Sequence, residues 1–118
     1  MITLYGIPNC DTVKKARAWL TERGIAHQFH DFKKQGVSDV TVDRWIAVLG
    51  WEPLLNRKGT TWRGLDESYR AAVTDATAAR DLMQHHTSVI KRPVVEWAEN
   101  EISVGFSADE WSRRVLKR

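Results

Sequence analysis

Apolar and polar residues alternate over Ile2-Thr3-Leu4-Tyr5, a period of two that predicts a short strand closed by Gly6 and a Pro8-Asn9 turn. From Thr12 the period changes. Val13, Ala16 and Leu20 recur at helical spacing, with Lys14, Lys15 and Arg17 on other faces, until Gly24 stops the segment. Residues 25–32 (IAHQFHDF) read as a second strand, which makes 2–32 a βαβ unit, and KKQGVS after it reads as loop. Ser38 is placed to cap a helix in which Val42, Trp45, Ile46 and Leu49 share one face and Gly50 ends it. Two further helical segments are predicted, one around Leu65, Tyr69 and Ala72, and one from Asp75 to Gln84 that aligns Ala76, Ala79 and Met83. The stretch LLNRKGTTWRG before them reads as irregular. After Lys91-Arg92-Pro93 the period of two returns as VVEW, a turn at Glu99-Asn100, and EISVGF, a hairpin with Ile102, Val104 and Phe106 assigned to one face. Ser107 and Glu110 have the spacing of a capping box for a last helix that aligns Ala108, Trp111 and Val115 and gathers Arg113, Arg114, Lys117 and Arg118 near its C-terminus.

The element order is therefore β-α-β, a helical middle, then β-β-α. The strand runs at the two ends are too short to stand alone, so they are expected to share one sheet, with the middle helices as a subdomain beside it. A length of 118 residues fits a single α/β domain with a core that needs no covalent staples, divided into a sheet core at 1–32 and 91–118 and a helical insertion at 33–90.

Composition narrows the classes. Hydrophobic residues make up 42% and charged residues 28%, which argues against disorder and against fibrous organisation. No basic leader and no run of apolar residues long enough to span a bilayer is present, so a cytoplasmic protein without membrane contact is expected. The net charge of +3 is spread over pairs such as Lys14-Lys15, Lys33-Lys34 and Arg113-Arg114, which makes no nucleic-acid arm. Six tryptophans are many for this length, but Trp45 and Trp111 lie on apolar helix faces and read as core. His27 and His30 would point to opposite faces of a strand, and the adjacent His85-His86 pair closes a helix. Neither has ligand spacing, so no metal is expected.

The candidate chemistry rests on one residue. Cys10 is the only cysteine, so it cannot form an intramolecular disulfide, and it lies between the first strand and the first helix. Free cysteine is most often a buried filler. A turn rich in Gly, Pro and Asn, however, belongs at the surface, where a filler gains nothing. There the free N–H groups and positive end of the helix favour thiolate over thiol, about 1.4 kcal/mol for each pKa unit of lowering. Lys14 and Lys15 would add to this, while Asp11 opposes it.

The stretches LYGIPNCDTVKKARAWL, LLNRKGTTWR, KRPVV and VGFSADEW resemble the arsenate reductase/Spx family, and within it the YffB-type branch. The resemblance implies a thioredoxin-like fold with a mixed four-stranded sheet and an inserted helical subdomain, and a cis-proline at Pro93 packed against the active cysteine. Where relatives with a dithiol site carry a second cysteine this chain has Val13, so a resolving thiol must come from outside, with glutathione as the expected co-substrate. Of three arginines that hold the oxyanion in arsenate reductases, Arg57 and Arg92 match two. The third falls where this chain has Gly105-Phe106.

The resemblance thus implies a monothiol oxidoreductase, a glutathione-dependent thiol reductase that works through a Cys10 thiolate and a mixed disulfide. Arg57 and Arg92 would hold the thiolate and its anionic partner. Asn9 and Thr12 flank the thiol in an ordering or capping role, Pro93 shapes the site, and Arg63 is a further contributor. Arsenate reduction is the less favoured variant because of the missing arginine. A regulatory module contacting RNA polymerase is the alternative from a different class, although a lone thiol cannot lock an internal disulfide switch. Glutathione or a protein thiol is the expected partner, and the chain is expected to be a monomer.

Overall fold

Strand β1 (Ile2–Gly6) runs through the interior of a four-stranded sheet, beside β2 (His27–Asp31) on one side and β3 (Val94–Ala98) on the other, with β4 (Glu101–Val104) at the far edge. The structure, a computed structural model, describes residues 1–116, so the cations Lys117 and Arg118 lie outside the described residues. β1 and β2 are parallel, joined by helix α1 (Asp11–Glu22), while β3 is antiparallel to both β1 and β4. The sheet is therefore mixed and four-stranded. The hairpin between β3 and β4 turns at Asn100, which adopts φ 62°.

The period of two in β1 sends neighbouring side chains into two separate cores. Leu4 faces one in which Val13, Ala16, Trp19 and Leu20 of α1 meet Val95 and Trp97 of β3 and Trp111 of the last helix, α7 (Ala108–Leu116). Tyr5 faces the other with Val94 and Ile102, against the middle of the chain: α2 (Phe32–Gln35), α3 (Asp39–Leu49), α4 (Thr60–Arg63), α5 (Glu67–Ala71) and α6 (Ala76–His85). Phe32, Val42, Trp45, Leu82 and Met83 fill this second core and are fully buried. Burial of each such side chain is worth about 1.5–3 kcal/mol relative to exposure. The middle segment thus shares one continuous apolar cluster with a face of the sheet.

The cap at Ser38 forms as the sequence implies, its Oγ accepting the Thr41 N–H at 3.2 Å, and Asp75 caps α6 in the same way, its Oδ1 accepting the Ala78 N–H at 2.8 Å. Four local expectations are corrected. Residues 32–35 are not strand end and loop but a single helical turn, because the Asp31 carboxylate accepts the N–H groups of Lys33 and Lys34. LLNRKGTTWRG is not wholly irregular, since it contains α4 and a bridge pairing Leu55 with Ile90. The predicted capping box is half formed: Ser107 Oγ accepts the Glu110 N–H at 3.3 Å, while the Glu110 carboxylate turns to Arg114 instead.

The fourth correction concerns Phe106, which does not share a face with Ile102 and Val104. Gly105 takes φ 87° and breaks the alternation. Phe106 then lies against Trp111 in the α1/α7 core, with ring centroids 4.7 Å apart, while Val104 packs on the other core. No described helix is long and apolar enough to cross a membrane.

Candidate active site

The turn after β1 is held close to the sheet by one small residue. A Cβ at Gly6 would stand 2.8 Å from Val13 Cγ2, so only glycine lets the first turn of α1 approach the strand end this closely. Cys10 occupies the N-cap position of α1 with extended backbone, its carbonyl accepting the Lys14 N–H at 2.9 Å. Its side chain makes no capping hydrogen bond of ordinary geometry, although the sulfur stays within the influence of the Thr12 and Val13 N–H groups at the start of the helix.

A cleft of about 410 Å³ opens at this sulfur, within the ~300–1,000 Å³ range of small-molecule sites. Cys10 and Thr12 form one wall, Lys91 and Arg92 another, and Val104, Gly105, Phe106, Ser107 and Glu110 a third, with Asn56 also on the lining. Distant parts of the chain converge here because Arg92 stands at the entrance to β3 and Gly105 at the exit from β4. The Gly105 N–H donates to the Pro93 carbonyl at 2.9 Å and ties the two together. Asn56 is brought in by its N–H bond to the Val89 carbonyl, and Lys91 by its N–H bond to Leu54, both 2.8 Å.

Arg92 is anchored on its own loop, its Nη1 donating to the Ser88 carbonyl at 2.9 Å and to Ile90 at 3.3 Å. Its buried Nε has no hydrogen-bond partner among the described residues. Two opposing effects act on the Cys10 thiol. Partial burial pushes its pKa up, but the Val13 N–H, the hydrogen bonding and charge of Arg92, and the Thr12 N–H outweigh that and bring it below the ordinary thiol value. The resulting arrangement is a half-buried sulfur biased toward thiolate at the edge of a cleft with two cations and one carboxylate.

Of the residues singled out in the sequence, the structure brings Cys10, Thr12 and Arg92 to the cleft. Pro93 is buried, with the expected cis bond to Arg92, and Asn9 is exposed in the turn preceding Cys10. Arg57 is not on the lining. Its exposed side chain places the guanidinium 5.8 Å from the rings of both Trp51 and Trp62. Arg63 is also exposed, at the end of α4, where its carbonyl accepts from Arg70. Asn56, Lys91, Ser107 and Glu110 line the cleft without having been singled out as site residues. Adjacency to Arg57, Arg92 and the VGF segment was the available signal for them. Among the described residues no group of three His, Cys, Asp or Glu side chains could hold a metal ion.

The family model described as the ArsC family matches residues 5–114. A Haemophilus influenzae protein is 38% identical over 94% of this chain and 96% of its own. The global transcriptional regulator Spx of Streptococcus pyogenes is 26% identical over 93% of this chain and 81% of its own length. Among solved structures, the YffB protein superposes with a TM-score of 0.90 at 45% identity, covering 96% of this chain and 97% of that one. An arsenate reductase-related protein from Brucella melitensis gives 0.75 at 46% identity, covering 97% and 93%.

Proposed function

This chain belongs to the ArsC family, and from that premise we propose that it is a monothiol oxidoreductase, a glutathione-dependent thiol reductase acting through Cys10. The observation that carries the reading is the Cys10 sulfur, biased toward thiolate by the start of α1 and by Arg92, at the edge of an open cleft. A thiolate in that position is a competent nucleophile toward a disulfide. It attacks one sulfur, the Cys10 S–S bond forms as the original S–S bond breaks, and the departing thiolate takes a proton from water. With no second cysteine in the chain, an external glutathione thiolate attacks the mixed disulfide and releases Cys10. Arg92 supports the anion at both steps.

Intact-mass analysis after incubation with oxidised glutathione tests this. A single glutathione adduct that disappears in Cys10→Ser is expected. No adduct on the folded protein, under conditions where unfolded protein is modified, overturns the proposal.

Arsenate is the less favoured substrate. The segment where arsenate reductases would place a third arginine is Gly105-Phe106, with the glycine at positive φ and Phe106 turned into the core. The similarity to Spx favours a second reading, a regulatory module that contacts RNA polymerase. Retention on immobilised polymerase, equally by Cys10→Ser and by the parent, would support that reading over the enzyme.

A further inference from the structure

The charges of the cleft narrow the substrate, on the premise that Cys10 exchanges thiols as proposed above. Two cations, Lys91 and Arg92, and one carboxylate, Glu110, line the same space as Cys10. We infer that Glu110 is a specificity-determining residue that receives the ammonium group of a zwitterionic thiol peptide, while Lys91 and Arg92 face its carboxylates. A γ-glutamyl tripeptide of the glutathione type, with one ammonium and two carboxylates, matches this set charge for charge.

Glu110 is prepared for such a role by its neighbours. Its Oε1 accepts from Arg114 Nη2 at 3.0 Å, and Arg114 is held from its other side by Glu101, also at 3.0 Å. Oε2 has no hydrogen bond among the described residues, and the side chain is 49% exposed. An acidic residue in the first turn of a helix would by itself reflect only the macrodipole. Here, however, it faces the cleft that carries the nucleophile and both cations. For a small oxyanion such a group is unfavourable, because it meets the ligand as a like charge and offers nothing in return. For a peptide bearing an ammonium it is a charge-assisted acceptor. The chemistry is unchanged: the Cys10–S bond forms as the disulfide breaks, and the leaving thiolate is protonated by solvent.

The test compares kcat/KM of the intact protein for three disulfides: glutathione disulfide, its N-acetylated form without the ammonium groups, and uncharged bis(2-hydroxyethyl) disulfide. The parent is expected to prefer glutathione disulfide over the N-acetylated form by about tenfold, expressed in KM, as for a charge-assisted contact. Glu110→Gln, checked for native circular dichroism, is expected to reduce that preference to within about twofold. The parent measurement needs no variant and so stands even if the substitution disturbs folding. Equal use of both charged disulfides by the parent, or an undiminished preference in Glu110→Gln, overturns the role of Glu110 while leaving Cys10 chemistry intact. No Cys10 adduct with any of the three overturns the oxidoreductase reading and this inference with it.

Discussion

Lys91 runs so close to Gly105 that a Cβ on the glycine would stand 3.7 Å from Lys91 Cε. The pair joins the loop before β3 to the end of β4 on the rim of the Cys10 cleft. The contact leaves room for a methyl group, but φ 87° does not suit an L-residue. Gly105→Ala is therefore expected to lower stability by about 1–2 kcal/mol, read from the denaturant midpoint. A neutral result would mean that strain at this turn is relieved by local rearrangement.

The aromatic cluster on the α1/α7 side makes a larger demand. Trp111 is 1% exposed and meets Trp97, Trp19 and Phe106 edge-on, with centroids 4.9, 5.7 and 4.7 Å away. Trp111→Ala is expected to cost about 3–5 kcal/mol and to lower the thermal midpoint accordingly. A loss below about 1 kcal/mol would contradict its place at the centre of that core.

On the opposite face, Glu96 accepts from Tyr5 Oη at 3.1 Å, Trp45 Nε1 at 2.9 Å, and Arg44 Nη2 at 2.7 Å. Glu96→Ala removes the shared acceptor of three donors and is expected to destabilise by about 2–4 kcal/mol in equilibrium unfolding. Retention of parental stability would mean that other acceptors replace the carboxylate.

The same network sets a pH dependence. Burial first, and then the charge and hydrogen bond of Glu96, push the Tyr5 hydroxyl up from 10.0 to about 12. The neutral phenol is favoured in the folded state, so its contribution is fully present below pH 10.0 and is lost as pH rises toward about 12. Unfolding titrations across that window are expected to slope downward in the parent and less steeply in Tyr5→Phe. Equal slopes would contradict the shift.

Much of this architecture was legible in periodicity. Val13, Ala16 and Leu20 announced α1, Val42 and Trp45 announced α3, and Ser38 marked a helix start through a side chain that does accept the expected N–H group. The failures were local. A period of two cannot foresee a positive φ, so Phe106 was assigned to the wrong face. A carboxylate that caps a single turn, as Asp31 does, leaves no periodic trace. For the candidate site, Cys10 and Arg92 could be singled out by turn chemistry and motif. Arg57 shows the limit of motif matching: its loop is tied to Val89 and Lys91 through Asn56 and Leu54, and this presents Asn56 to the cleft rather than its neighbour. Lys91 and Glu110 were ordinary surface charges until tertiary contacts gave them a common cleft.

The central claim is that the start of α1 and Arg92 favour the anionic form of the Cys10 sulfur and lower its pKa. The pH dependence of Cys10 alkylation tests it most directly, followed by intact mass on the native protein, with Arg92→Met and Arg57→Ala alongside. The account predicts a midpoint below the ~8.5 of a free thiol, an upward move in Arg92→Met, and little change in Arg57→Ala. A parental midpoint at or above that of a free thiol, unmoved by loss of the Arg92 charge, would contradict it.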